Sequence, residues 1–237
     1  MSSKQTRKFR YDFRGHQAIP LAASGAGTPF VKADTSDSGS PTVGGLDGGG
    51  LRLQLASANE IENLCVFFGD VLAFDIDEII CVEFIVKAPQ TLNAASSIAF
   101  GLCSARNDTI DDLAAHASFR CIGNNNVVVE TDDGVNDNNG LSSGLSLATS
   151  WERYAINFAS RNTTIEPPSV SLGRKSNIEF YGTNGYGSKR RVASGTRFDM
   201  TNYSGGLQPY IQLQKTADAN TDAIDLLEIC IEVNQAV

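Results

Sequence analysis

Short apolar runs separated by turn residues fill the sequence from residue 51 onward, and this pattern restricts the chain to a β-rich fold. Residues 51–55 (LRLQL) alternate apolar and polar side chains, and in residues 227–233 Leu227, Ile229, Ile231 and Val233 alternate with polar or small residues. Alternation with a period of two is typical of a strand with one buried face. Further strands are predicted at residues 80–86, 97–103, 118–122, 127–131, 154–158, 177–181 and 207–213.

Helical signals are almost absent. Only residues 109–117 have a helical pattern, with Asp111 and Asp112 in the first turn, where the helix dipole favours negative charge. Strands that recur between Gly, Asn and Asp turns, with so little helix, predict an all-β fold, an antiparallel β-sandwich. The 237 residues suit one such domain, since all-β sandwiches often contain 200–250 residues. We predict that the sandwich spans residues 51–237.

The first fifty residues differ in charge and composition from the rest. Residues 1–14 have a net charge of +4, whereas residues 15–237 have −12 and the whole chain −8. Residues 15–50 are rich in Gly, Ser, Thr, Pro and Asp. We therefore predict an extended N-terminal arm over residues 1–50, with compact packing from Leu51. Such an arm either binds an acidic surface or nucleic acid, or is a solvated terminus. Its candidate binding residues are Lys4, Arg7, Lys8, Arg10 and Arg14.

Composition and cysteine spacing exclude several classes of protein. The chain has no apolar run of about 18 residues, so we predict no membrane partner, and no apolar segment for Sec export follows the basic leader. Nucleic-acid binding is disfavoured because the −12 body would repel it. The five cysteines are odd in number and have no C-x-x-C spacing, which predicts free, buried thiols in a chain that folds in a reducing cytosol.

No pattern for catalysis is present, and the best cation candidate is an acidic turn. The sequence lacks G-x-S-x-G, H-E-x-x-H and P-loop motifs, so we predict that the protein is not an enzyme and has no cofactor. Residues 130–140 (ETDDGVNDNNG) contain candidate Ca²⁺ ligands, Asp132, Asp133 and Asp137. A hairpin turn explains the same composition, since Asp and Asn cap backbone groups, and we favour the turn.

Two further features are candidates for surface contacts. Residues 182–191 (GTNGYGSKRR) predict a glycine-rich hairpin tip, and Tyr186, Lys189, Arg190 and Arg191 form either a contact loop or a solvated turn. Trp151, the only tryptophan, is a candidate for stacking on a sugar ring. Burial in the core is the favoured interpretation, because aromatic side chains dominate sandwich cores.

Several stretches resemble the concanavalin-like and laminin-G-like jelly-roll modules of tailed-phage virion proteins. The resemblance covers residues 50–234 and depends on residues 67–77 (FFGDVLAFDID), 100–108, 130–134, 178–181 with 191–193, 196–200 and 207–210. It implies a jelly-roll sandwich and a head decoration or cement protein. Such a protein is made in the host cytoplasm, lies on the capsid surface of the virion, binds the major capsid protein or another virion protein and forms a homo-oligomer, with a trimer favoured.

Other functions stay open beside this one. The main alternative is a lectin-like carbohydrate-binding module for adsorption to a host surface, using Trp151, Tyr186 or the acidic turn. A glycan-cleaving enzyme would need two carboxylates about 5–10 Å apart across a groove, and the sequence does not indicate such a pair.

Overall fold

The structure is a computed structural model and describes residues 4–14, 19, 29–71, 74–158, 174–183 and 187–236, which form two antiparallel sheets and almost no helix. Sheet A contains β1 (Lys4–Asp12), β3 (Thr42–Gly45), β4 (Leu51–Gln54), β7 (Ile79–Lys87), β12 (Glu152–Asn157), β13 (Glu179–Gly182), β14 (Arg190–Val192) and β16 (Ala223–Ala236). Sheet B contains β2 (Val31–Asp34), β5 (Glu60–Phe67), β6 (Phe74–Asp75), β8 (Ser96–Cys103), β9 (His116–Ile122), β10 (Asn126–Asp132), β11 (Asp137–Ser146) and β15 (Gly206–Asp218). The predicted all-β antiparallel sandwich is confirmed.

The strands of each sheet come from distant parts of the chain. Sheet A has the order β14-β13-β12-β7-β16-β4-β3, and β1 also pairs with β16. Sheet B has the order β11-β10-β9-β8-β15-β5-β2, and β6 pairs with β15. The longest strands, β15 and β16, therefore lie inside the two sheets, where each pairs with neighbours on both edges.

The core lies between the inner faces of the two sheets. Phe84 and Tyr154 of sheet A contact Phe100 of sheet B, with ring centroids 5.7 and 5.3 Å apart, and Tyr154 lies 5.1 Å from Phe119. All four rings are fully buried. Tilted and edge-to-face rings are favoured by their quadrupoles, and truncating a buried Phe typically costs about 3–5 kcal/mol. These rings are thus a main contact between the sheets.

Packing begins before Leu51, which corrects the predicted arm over residues 1–50. Strand β1 pairs with β16 from Lys4 to Asp12, while β2 and β3 extend the two sheets. The physical reason is an alternation of aromatic residues inside the basic segment: Phe9, Tyr11 and Phe13 all pack against the core. Phe9 contacts Phe74 at 5.5 Å, and Tyr11 contacts Phe30 at 5.1 Å.

The final strand contains a β-bulge that shifts the predicted faces. Ile229, Ile231 and Val233 point into the core as predicted, but Leu226 rather than Leu227 continues this inner face. The register with β7 shifts between Leu226 and Glu228, so Leu227 is the extra residue of the bulge.

The predicted helix at residues 109–117 is wrong. A 3₁₀ turn covers Ile110–Asp112 only, and β9 begins at His116. Thr109 precedes the turn without a side-chain cap. Ile110 and Leu113 instead pack onto the outer face of sheet B, where burial of apolar surface outweighs the weak helical preference.

All five cysteines are free, and four of them are buried, as predicted; Cys81 is partly exposed. Burial raises the pKa of the Cys103, Cys121 and Cys230 thiols, and it raises the pKa of Cys81 to about 11. Within the described ranges, no helix has the length and apolar character needed to cross a membrane.

Candidate functional site

A groove of about 560 Å³ lies on the outer face of sheet A. Its floor is one cross-strand row, because Gly44 of β3 pairs with Arg52 of β4, Arg52 with Asp225 of β16, and Asp225 with Lys87 of β7. Trp151 comes directly before β12, whose first residue pairs with the neighbour of Lys87. The register of five strands therefore brings together residues that are far apart in the sequence.

A glycine-rich turn, residues 46–50, forms one wall of this sheet A groove. The Leu46 amide donates to the Gly50 carbonyl at 3.0 Å, and the Gly49 amide donates back to the Leu46 carbonyl at 2.9 Å. Gly50 has φ +115°, and a Cβ there would lie 3.2 Å from the indole of Trp151. Glycine is therefore needed both for the backbone conformation and for the close approach of the tryptophan ring.

The charges of the groove centre on a buried carboxylate. Asp225 is fully buried, and Arg52 donates to both of its oxygens, from Nε at 2.6 Å and Nη2 at 2.9 Å. Lys87 Nζ lies 3.5 Å from Asp225 Oδ2. The hydrogen bond to Asp225 raises the pKa of the Arg52 guanidinium, so it stays protonated. Two cations thus share one carboxylate on the groove floor.

Trp151 lines the groove and lies outside the core, which corrects the favoured interpretation of a buried tryptophan. Its side chain is half-buried, and Lys87 Nζ lies 4.6 Å from its ring centroid, a cation–π distance. An indole next to arginine, lysine and glutamine side chains offers an apolar surface together with hydrogen-bonding groups. Such a surface can contact a ligand that has both an apolar face and hydrogen-bonding groups.

A second group of polar residues lies on the outer face of sheet B and is buried. Glu130 of β10 faces two residues of β9: Arg120 Nη1 lies 3.6 Å from its Oε1, and His116 Nε2 lies 3.9 Å from its Oε2. Arg120 also forms an ion pair with Asp111. Burial raises the pKa of the Glu130 carboxyl, although the charges of Arg120 and His116 act in the opposite direction.

Residues 104–115 cover this buried group. Ile110 and Leu113 pack against Phe67 and Tyr210 in a second apolar cluster outside the sandwich core. Gln212 Nε2 donates to the carbonyls of residues 107 and 108 at 3.1 and 3.2 Å, which fixes the segment against β15. Solvent therefore has little access to Glu130, and the sheet A groove is the open polar site of the two.

The three acidic candidates for Ca²⁺ lie in and beside the β10–β11 turn. Asp133 accepts hydrogen bonds from the amides of Val135, Asn136 and Asn202. Asp132 accepts from the Gly134 amide, and Asp137 accepts from the Asn139 side chain. The part of the chain that the structure describes contains no group of three or more His, Cys, Asp or Glu residues that could hold a metal. These bonds support the turn interpretation, and Ca²⁺ binding stays a prediction.

The basic candidates of the N-terminal segment lie along or next to β1. Arg10 pairs with Glu228 at 2.6 Å, and Arg14 pairs with Asp12 at 3.0 Å. Arg7 and Lys8 are exposed and form no salt bridge with the described residues; for Lys4, the structure describes the backbone. Binding of a partner by these residues stays a prediction.

The basic residues of the predicted hairpin tip are partly engaged with the protein itself. Strands β13 and β14 pair from Phe180 with Val192 to Gly182 with Arg190, as the hairpin prediction requires. Lys189 pairs with Glu83, Arg190 donates to the Gly144 carbonyl at 2.9 Å, and Arg191 pairs with Glu179 at 3.1 Å. Tyr186 lies outside the described residues.

Sequence reasoning missed Arg52, Lys87 and Asp225. Each stands at a polar position of an otherwise clear strand, which by itself indicates only an outer face. The glycine run 44–50 is the one available signal, and it falls inside the predicted extended arm over residues 1–50. Their proximity to Trp151 depends on strand pairings over as many as 173 residues.

Comparison with solved structures identifies the fold as a concanavalin-like and legume-lectin-like jelly roll. A protein of unknown function from Shewanella oneidensis MR-1 is similar with a TM-score of 0.59 and 12% identity, over 99% of this chain and 89% of that one. Peanut lectin is similar with 0.56 and 11%, over 98% and 100%. A Bacillus licheniformis β-glucanase is similar with 0.54 and 13%, over 96% and 98%. No family model and no curated protein matches the sequence. At these identities the likeness concerns the fold.

Proposed function

We propose that the protein is a carbohydrate-binding module and that its glycan binds in the sheet A groove. The observation that carries the proposal is the position of Trp151 in an open groove of about 560 Å³, next to Arg52, Gln54 and Lys87. A sugar ring has an apolar face of C–H groups and a rim of hydroxyl groups. An indole can cover the first, and the neighbouring side chains can bind the second.

The buried carboxylate and the glycine turn support this assignment through rigidity. Arg52 is held by two hydrogen bonds to Asp225, and Trp151 is packed against Gly50. Side chains that are already ordered lose less entropy when a ligand binds, which favours the weak contacts that sugars make. The similarity of the fold to a lectin agrees with the proposal.

The test is affinity electrophoresis in gels that contain soluble polysaccharides, neutral and acidic. We expect at least one polymer to retard the wild-type protein. Trp151→Ala should weaken that binding about tenfold or more, because truncating a central aromatic contact typically has such an effect. Gly44→Phe should block binding by another route, since a Cβ at Gly44 meets no atom within 4 Å and a ring there would fill the groove.

The matched control is Tyr181→Ala. It also removes an aromatic side chain of sheet A, but Tyr181, in β13, does not line the groove. This variant should be retarded like the wild type. Normal circular dichroism and melting temperature would show that the variants are folded. Retardation of Trp151→Ala equal to that of the wild type, or migration of the wild type unaffected by every polymer, would overturn the proposal.

A second candidate function is that of a capsid decoration protein that assembles as a trimer and attaches through β1. The exposed Arg7 and Lys8, at the margin of sheet A, favour it, because they form no salt bridge within the described residues. The test is binding to capsids that lack the protein. Arg7→Glu with Lys8→Glu should abolish attachment and leave the fold intact, whereas undiminished attachment would contradict this candidate.

A further inference from the structure

Two cationic side chains of the sheet A groove have hydrogen-bond donors that no described residue uses. Lys87 Nζ has an ion-pair contact with Asp225 at 3.5 Å and a cation–π contact with Trp151, but no hydrogen bond among the described residues. Arg52 uses Nε and Nη2 on Asp225, which leaves Nη1 without a partner in the same part of the chain. An ammonium and a guanidinium only donate, and these two side chains are 24% and 33% exposed, so they can bind acceptor groups of a ligand that enters the groove.

The carboxylate of Asp225 lies beneath these two cations and does not neutralise both of them. Asp225 is fully buried, and both of its oxygens already accept from Arg52. One negative charge between two positive charges leaves an excess of one positive charge on the groove floor. Among the residues that line the groove, Asp47 is the acidic one, and it is an exposed residue of the glycine-rich turn.

We infer that the groove selects a sugar that carries an anionic group, a carboxylate or a sulfate, with this group placed between Lys87 and Arg52. The inference rests on the proposed carbohydrate binding. Hydrogen bonds between charged partners are about twice as strong as neutral ones, which gives the anionic sugar its advantage over a neutral ring. At physiological salt, interactions are screened beyond about 8 Å, so the local excess acts despite the net charge of −8.

The test uses two pairs of polymers that differ in charge and share a backbone. Polygalacturonate is compared with its methyl-esterified form, and dextran sulfate with dextran, again by affinity electrophoresis. We expect the wild type to bind at least one charged polymer about tenfold more tightly than its neutral partner. The responding pair identifies the group as carboxylate or sulfate. A protein of net charge −8 has little non-specific attraction for polyanions, so retardation reports a local site.

Three variants locate the effect. Lys87→Met keeps the Arg52–Asp225 pair and should lose about tenfold in affinity for the charged polymer. Asp47→Asn removes an exposed negative charge from the rim and should raise that affinity about twofold. Lys189→Met is the matched control, because Lys189 pairs with Glu83 outside the groove, and it should behave like the wild type.

The outcomes separate this inference from the function on which it rests. Equal retardation by charged and neutral partners, or wild-type affinity in Lys87→Met, would overturn the selection for an anion and leave carbohydrate binding in place. If no polymer retards the wild type, both fall. Should Lys87→Met fail to fold, the change in Asp47→Asn decides, and an unchanged or lower affinity for the charged polymer contradicts the inference.

Discussion

On the outer face of sheet A, Glu83 lies between Arg153 and Lys189, whose side chains are 54% and 40% exposed. On the outer face of sheet B, Glu130 lies between Arg120 and His116, whose side chains are 8% and 5% exposed. The local chemistry is similar, a glutamate beside two basic residues. The difference is the segment 104–115, which covers one face and has no counterpart among the described residues over the sheet A groove.

This difference separates a binding surface from a structural one. The cations Arg153 and Lys189 of the open face keep contact with solvent and are available to a ligand. Charges under residues 104–115 have lost their water, so each depends on its partner inside the protein. The same substitution should therefore have unequal effects on the two faces, and this inequality can be measured.

The largest expected difference comes from removing an arginine on each face. Arg120→Met leaves Glu130 buried without its main cation and should lower the free energy of unfolding by about 3–5 kcal/mol. Arg153→Met removes an exposed partner while Glu83 keeps Lys189, and it should cost less than about 1 kcal/mol. Urea denaturation of both variants measures the two values.

Adding Glu130→Gln to Arg120→Met should recover part of the lost stability, because the unpaired charge is then gone. A cost below about 1 kcal/mol for Arg120→Met alone would show that the covered glutamate does not depend on its arginine.

A smaller difference should separate two glycines on the same two faces. A Cβ at Gly101 of β8 would overlap the backbone carbonyl of Ala117, so Gly101→Ala should cost about 1–3 kcal/mol. A Cβ at Gly44 of β3 meets nothing within 4 Å, and Gly44→Ala should change stability by less than about 0.5 kcal/mol. Thermal unfolding followed by circular dichroism ranks them, and equal melting temperatures would contradict the overlap.

The smallest expected effect is a pair of opposite pH dependences. Burial raises the pKa of Glu130 above its ordinary 4.5, so its stabilising contribution is present below pH 4.5 and is lost as the pH rises through the raised value. Burial alone would also raise the pKa of Glu83, but Lys189 and Arg153 together lower it. The contribution of Glu83 is therefore present above pH 4.5 and is lost as the pH falls.

Urea titrations of wild type, Glu130→Gln and Glu83→Gln between about pH 3 and 7 give the two slopes. As the pH rises, the free energy of unfolding of the wild type should fall relative to that of Glu130→Gln. It should rise relative to that of Glu83→Gln. Slopes of the same sign would mean that the covered and the open glutamate have similar surroundings.

Much of the sandwich could be predicted from the sequence, because its strands alternate clearly. The stretch around Phe84 and the inner residues Ile229, Ile231 and Val233 follow the pleat of a sheet. The first strand is hard to predict, because the high positive charge of residues 1–14 is typical of a solvated terminus, although Phe9, Tyr11 and Phe13 alternate along it. The bulge at Leu227 could not be predicted, since one extra residue leaves no signal in a run of apolar side chains.

The candidate site was far less predictable than the fold. Trp151 could be singled out as a lone aromatic residue, but its position beside Lys87 follows from the pairing of β12 with β7. The partnership of Arg52 with Asp225 needs β16 to lie between β4 and β7. Local patterns predict which face a side chain occupies, whereas a site depends on which strands are neighbours.

The burial of the thiols makes the protein suitable for site-selective labelling. With its pKa raised from 9.0 to about 11, Cys81 has roughly a 100-fold smaller thiolate fraction at neutral pH than an unperturbed cysteine, and the four other thiols are buried. A single cysteine introduced at position 47, on the exposed rim of the groove, would therefore react almost alone with a maleimide fluorophore. Its emission would report directly when a sugar enters the groove, in the otherwise unmodified chain.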